Sequence, residues 1–213
     1  MMLEFCAQHN VDPAIFSQLF LNKATSLVNE LEALETPTWA ADAVLEEEIC
    51  TRRVIDPNCG TGVLAEAARR KGYEVYANDI FNWGYEHQSY TYDFLSEQGA
   101  HHLGGLVSGS TVFLNPPFKL SCEFLLQCRL LGARKVILFQ NITWMTSKTR
   151  REFWKNNPPT RTYIFAERAT TWRFDVPEHK RIGTTSKTFA FFVWDGWDNP
   201  AAPTSHLLYK GGA

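Results

Sequence analysis

The stretch Arg53-Val54-Ile55-Asp56-Pro57-Asn58-Cys59-Gly60-Thr61-Gly62 constrains the fold of this chain more than any other. A short apolar run enters a loop with two glycines, and Val63-Leu64-Ala65-Glu66-Ala67-Ala68-Arg69 then reads as a helix. Strand, glycine turn and helix start together place a ligand against a helix N-terminus. Gly60 and Gly62 permit positive φ and a close backbone approach. Asp56 falls at the carboxyl end of the strand, where open α/β sheets bind their ligands. Gly72 then ends the helix, and Tyr73-Glu74-Val75-Tyr76-Ala77 alternates as a second strand leading into Asn78-Asp79-Ile80. An acid there, about twenty residues past the glycine loop, is placed to accept from ribose hydroxyls, with Ile80 lining the adjoining adenine slot.

A further strand, Thr111-Val112-Phe113-Leu114, runs into Asn115-Pro116-Pro117-Phe118. The paired prolines fix φ and remove two backbone donors, so the chain leaves the buried strand by a stiff, extended exit. Asn115 offers an amide on one side of that exit and Phe118 a flat apolar ring on the other. A rigid turn is the structural alternative.

Taken together, Asp-Pro-x-x-Gly-x-Gly followed by Asn-Pro-Pro-Phe resembles the S-adenosylmethionine-dependent methyltransferases that act on exocyclic amino groups. Among them the chain most resembles the DNA N6-adenine methyltransferases of the small phage-encoded kind, over roughly residues 35–195. The resemblance implies an α/β, Rossmann-like class I methyltransferase with a seven-stranded, mostly parallel sheet whose last strand is antiparallel. It implies S-adenosylmethionine as cofactor, held by the loop residues Asp56, Asn58, Cys59, Gly60 and Gly62 and by Asp79 and Ile80. Asp56 would accept from the ammonium of the methionine moiety. Thr36-Pro37 resembles an element that lies beside the methionine end of the cofactor in adenine methyltransferases; as plain sequence, Thr36 suits the cap and Pro37 the first turn of a helix. Asp93-Phe94 resembles the adenine-binding corner, and Asp93 also suits a cap of the segment after Ser96. Asn115, Pro116, Pro117 and Phe118 would be the catalytic residues, with Asn115 also touching the cofactor.

The net charge of −2 conceals an asymmetry. Residues 1–118 hold six Lys/Arg against sixteen Asp/Glu, and residues 119–187 hold fourteen against five. A basic half following the catalytic motif suits a polyanion-binding face, although it would also pair with the acidic half. Lys148, Arg150 and Arg151 stand at the start of an expected helix over 147–155, the end whose dipole favours acids. Such a broken local rule points to an external anion. Trp172, Arg173 and Lys187 lie in a segment, 168–187, that interleaves cations, hydroxyls and aromatics, a pattern suited to phosphate contact and base stacking. The implied partner is DNA presenting a flipped or unpaired adenine.

At 213 residues one domain is expected. Residues 1–34 read as a helical extension, starting at Asp12-Pro13 and packed on the core; 35–195 form the methyltransferase domain, and 196–213 a loosely ordered tail. Residues 82–92 read as an aromatic loop. No separate recognition region is evident, so a short or relaxed target is expected, read by loops 82–92, 142–151 and 168–187 or supplied by a protein partner. The five cysteines show neither a disulfide framework nor a zinc spacing and read as reduced cytoplasmic thiols. No metal, membrane span or secretory signal is expected. Because Asn-Pro-Pro-aromatic also occurs in enzymes acting on RNA adenine and on protein glutamine, those substrates are the alternatives, with a non-catalytic nucleic-acid-binding scaffold as a different class.

Overall fold

The strands that carry the sheet are continuous apolar runs. Such runs belong to strands covered on both faces. In the computed structural model, which describes residues 34–173, 178–183, 187–197 and 203–211, these are β2 (Arg53–Asp56), β5 (Thr111–Leu114), β6 (Lys135–Asn141) and β9 (Phe189–Asp195). Shorter or more polar strands complete the set: β1 (Leu34–Glu35), β3 (Glu74–Asn78), β4 (Gln88–Tyr90), β7 (Arg161–Phe165), β8 (Trp172–Arg173) and β10 (Thr204–Leu208). The main sheet has eight strands in the order β10-β7-β9-β6-β5-β2-β3-β4, and β1 pairs with β8 in a separate antiparallel ribbon. Within the main sheet β9 alone is antiparallel, inserted between β6 and β7 with Asn141 opposite Phe189.

Side chains alternate between two cores, as the period of two demands. Val112, Leu114, Val136, Leu138 and Phe192 face one side, together with Leu103 and Val107 of α3 (Glu97–Val107) and Leu125 of α4 (Ser121–Leu130). Val54, Phe113, Ile137, Phe139 and Phe191 face the other, with Ala40 and Val44 of α1 (Thr38–Glu47) and Leu64 and Ala68 of α2 (Val63–Arg70). The last helix, α5 (Arg151–Asn156), follows a short 3-10 turn at Lys148–Arg150, so the single helix expected over 147–155 is divided.

The strand count is therefore eight, not seven. The antiparallel strand is where it was expected, but the chain does not end its sheet there. β10 lies in the tail read as loosely ordered and adds in parallel to β7, burying Leu208. β4 lies in the segment read as a loop, joining β3 through an irregular register at Ala77 and Asn78. Both are edge strands with little apolar content, and their partners rather than their own sequences fix them. The expected helix over 12–34 lies outside the described residues except for Leu34, which is in β1. The described cysteines, 50, 59, 122 and 128, are all free and buried.

At the end of the sheet remote from the glycine loop, Glu48 is buried beneath cations. It accepts from Lys135 Nζ at 2.7 Å, from Arg161 Nη2 at 2.9 Å and from the Tyr163 hydroxyl at 2.9 Å. Asp195 joins the same network through Arg161 at 2.9 Å. Burial alone would raise the Glu48 carboxyl, but the bonds from Arg161 and Lys135 outweigh it and hold the group below its usual range; Asp195 is lowered in the same manner. A carboxylate lowered on folding stabilises the fold above its unfolded pKa, and that contribution is lost as pH falls through the folded value. Acidification below the ordinary carboxylate range is expected to lower Tm more steeply in the wild type than in Glu48→Gln. Thermal melts across pH check this, and parallel curves would contradict it.

Candidate functional site

The carboxyl ends of β2 and β5 meet at one cleft, and β3, parallel to β2, ends beside them. Asp56 ends β2 and is 1% exposed. Its Oδ1 accepts weakly from the Asn58 N–H at 3.4 Å, while its Oδ2 is buried with no hydrogen-bond partner. Burial pushes this carboxyl well above its ordinary range, and the neighbouring charge of Asp79 adds to the effect. A buried acceptor without a donor is costly in an otherwise satisfied interior. That oxygen is left as an acceptor for a donor entering the cleft.

The turn after β2 is built by backbone geometry. Gly60 and Gly62 have φ of 53° and 88°, and Gly62 occupies the N-cap position of α2. The Gly60 N–H donates to Asp79 Oδ2 at 2.9 Å, which joins the glycine loop to the end of β3. Asp79 Oδ1 accepts from the Phe81 N–H at 3.1 Å and from Trp83 Nε1 at 3.2 Å. Burial raises the Asp79 carboxyl against these bonds. Ile80 is 40% exposed and Phe81 44% exposed, an apolar rim beside Asp79.

Two braces around this loop are not marked by any motif. Asn78, 1% exposed, donates through Nδ2 to the carbonyls of Pro57 and Tyr92, both at 2.9 Å, and its Oδ1 accepts from the Tyr92 N–H at 3.0 Å. Tyr85 lays its ring on Gly62 and donates its hydroxyl to Glu66 at 2.5 Å. A Cβ at Gly62 would stand 2.4 Å from that ring, at a φ that L side chains avoid. Gly62→Ala is therefore expected to cost about 1–3 kcal/mol of stability, measurable by urea denaturation; an unchanged midpoint would contradict the packing.

Asn115, at the end of β5, has a determined orientation. Its Nδ2 donates to the Leu34 carbonyl at 2.6 Å and to Thr36 Oγ1 at 3.0 Å. A carbonyl can only accept, so the amide nitrogen faces Leu34 and Oδ1 is left as the side chain's acceptor. The cleft is lined by Asp56, Asn58, Cys59 and Asn115, and also by Glu35, Thr36 and Thr61. Thr36 does not cap α1: Pro37 takes the N-cap position, and the Thr36 hydroxyl serves Asn115 instead. Pro116 is buried and Pro117 half-buried, and Phe118 opens a 3-10 turn with its ring 5.7 Å from that of Phe189.

Phe94 is placed differently from the expectation. Phe94 is 2% exposed, with its ring stacked on Phe124 in the core at 5.4 Å, so it is a packing residue and presents no face to the cleft. Its apolar bulk is buried beneath α4. Asp93 accepts from the Leu95 N–H at 2.9 Å, and Ser96, not Asp93, caps α3.

The cations lie on the same edge as Asn115. β9 runs antiparallel to β6, so its start brings Lys187 beside the Asn115–Phe118 turn, where Nζ sits 5.5 Å from the Phe118 ring centroid. Trp172 and Arg173 pair with Glu35 and Leu34 in the β1–β8 ribbon. Lys148 and Arg151 are exposed after β6, whereas Arg150 donates through Nε to the Trp144 carbonyl at 3.1 Å and is partly committed to the fold. Among the described residues no group of His, Cys, Asp and Glu could hold a metal ion, and no helix is long and apolar enough to cross a membrane.

No protein-family model matches the sequence, and a search of curated proteins finds no match either. Solved structures do resemble the fold. A modification subunit of a putative type I restriction enzyme from Vibrio vulnificus aligns over 97% of this chain and 52% of its own, with a TM-score of 0.53 and 12% identity. This chain thus spans about half the length of that subunit. A predicted O-methyltransferase from Agrobacterium tumefaciens aligns over 83% of this chain and 85% of its own, with a TM-score of 0.50 and 12% identity. The architecture is the Rossmann-like α/β fold that these structures share. At such identities the likeness is one of fold.

Proposed function

We propose that the chain is an S-adenosylmethionine-dependent methyltransferase acting on the exocyclic N6 amine of adenine in DNA. The observation that carries this reading is the meeting, in one cleft, of the unpartnered Asp56 oxygen and the oriented amide of Asn115. The donor set fits the cofactor: Asp56 would accept its ammonium, Asp79 its ribose hydroxyls, and the backbone freedom of Gly60 and Gly62 would admit it closely. Thr36, Asn58 and Cys59 would complete the wall of the cofactor cleft, with Ile80 on its rim. When bound, S-adenosylmethionine supplies an electrophilic methyl group carried on sulfur.

The chain's own contribution is positional and electrostatic. The adenine amine is a poor nucleophile because its lone pair is delocalised into the ring. Asn115 Oδ1 and the Pro116 carbonyl would each accept one N6 hydrogen, drawing the amine toward tetrahedral geometry and aiming its lone pair. Pro117 stiffens the turn that holds both acceptors. Phe118 would stack on the base, which must leave the helix to reach the cleft. No side chain with a tuned pKa is required, since the proton can leave after transfer. Lys148, Arg150, Arg151, Arg173 and Lys187 would contact phosphates, and Trp172 would offer a stacking surface. With recognition left to loops or to a protein partner, a short or relaxed target is proposed.

The fold shared with a restriction-modification subunit supports a DNA substrate, as does the gathering of cations on the Asn115 edge. Methyl transfer from labelled S-adenosylmethionine to unmethylated DNA, RNA and protein extract, run in parallel, tests this reading. Label in DNA is the expected outcome. Label confined to RNA or protein would overturn the substrate, and binding of the cofactor with no transfer to any of them would overturn the enzyme.

A further inference from the structure

Three consecutive residues, Leu34, Glu35 and Thr36, touch Asn115, the glycine loop and Arg181. Leu34 and Thr36 orient Asn115. Glu35 divides its carboxylate between two partners. Oε2 accepts from the Thr61 hydroxyl, inside the glycine loop, at 2.8 Å, and Oε1 accepts from Arg181 Nη1, in the basic segment, at 2.6 Å. Both ends of the ion pair are largely shielded, with 23% of the Arg181 side chain and 19% of the Glu35 side chain exposed. The Glu35 backbone lies opposite Trp172 in the β1–β8 ribbon.

We propose that Glu35 is a positioning residue that couples the cofactor cleft to the nucleic-acid face. This rests on the reading above that the chain methylates DNA. A loop that closes around the cofactor fixes Thr61, and Thr61 fixes one oxygen of Glu35. The other oxygen then holds Arg181 in the orientation that meets phosphates. The link works equally in reverse, because coupling between two binding sites is reciprocal. Glu35 lines the cleft itself, so Thr61 of the glycine loop and Arg181 share a single carboxylate at the cleft wall. Glu35→Gln keeps an acceptor for Thr61 but removes the charge that holds Arg181, which isolates the coupling from simple loop support.

Calorimetric titration of S-adenosylhomocysteine into the full chain, with and without an unmethylated DNA duplex, reads the coupling directly. In the wild type the duplex should tighten binding about tenfold. In Glu35→Gln the ratio should fall to about one while each ligand still binds alone. Arg181→Gln, which leaves the cleft wall untouched, should lose the ratio likewise and guards against a folding defect in the first variant. Kinetically, KM for DNA should fall as cofactor concentration rises in the wild type, and in both variants that dependence should vanish, a change that mere destabilisation would not produce. A ratio of one in the wild type, or an undiminished ratio in either variant, would overturn the inference. Failure of the wild-type chain to bind any DNA at low salt would instead refute the DNA reading, and is distinguished by that control alone.

Discussion

Asn115→Ala is expected to lower the rate of methyl transfer by on the order of a thousandfold, the scale set by removing one preorganised polar contact at a reacting centre. Binding of S-adenosylhomocysteine should change far less, because Asp56 and Asp79 remain in place. Asn115→Asp should be no better than alanine. Its carboxylate has no N–H to give the Leu34 carbonyl, which the native amide meets at 2.6 Å, and the two oxygens would repel. Single-turnover rates together with cofactor titration separate the two effects. Full activity in Asn115→Asp would mean that the orientation imposed by Leu34 has no part in the chemistry.

Asp56→Asn should weaken cofactor binding by about a hundredfold or more, the scale of removing one partner of a buried charged pair. The same change should raise the Tm of the ligand-free protein. Burial holds the Asp56 pKa above its unfolded value, so its contribution to stability is present at low pH and lost as pH rises through the folded value. An uncharged amide escapes that loss. A cationic group entering the cleft favours the ionised carboxylate, so binding releases a proton and tightens as pH rises toward the raised pKa. Calorimetry in buffers of different ionisation enthalpy would detect the proton. An Asp56→Asn protein that bound as tightly as the wild type, or that melted lower, would remove Asp56 from its assigned role.

The parts of the site legible in the sequence were those encoded locally. A strand, two glycines and a helix start fix the turn at 56–62 whatever surrounds it, and two prolines fix the exit at 115–118. Strand β9 was legible from its continuous apolar run, and its antiparallel direction was implied by the family resemblance. What escaped were choices of partner across long stretches of chain. Glu35 and Arg181 are separated by 146 residues, and Asn115 and Leu34 by 81. Nothing near Asn78 or Tyr85 in sequence announces that one braces the glycine loop and the other covers Gly62. Phe94 illustrates the opposite error, because an acid beside an aromatic looks the same whether the ring meets a ligand or Phe124. The edge strands β4 and β10 were missed because their sequences carry little of the apolar content by which strands are read; β10 buries Leu208 alone among its residues.

The most direct test of the central claim is nucleoside mass spectrometry of unmethylated DNA incubated with S-adenosylmethionine and the full chain. N6-methyladenine should appear with the wild type and vanish with Asn115→Ala. Methylated cytosine as the sole product, or N6-methyladenine persisting undiminished in the variant, would contradict the account of this cleft.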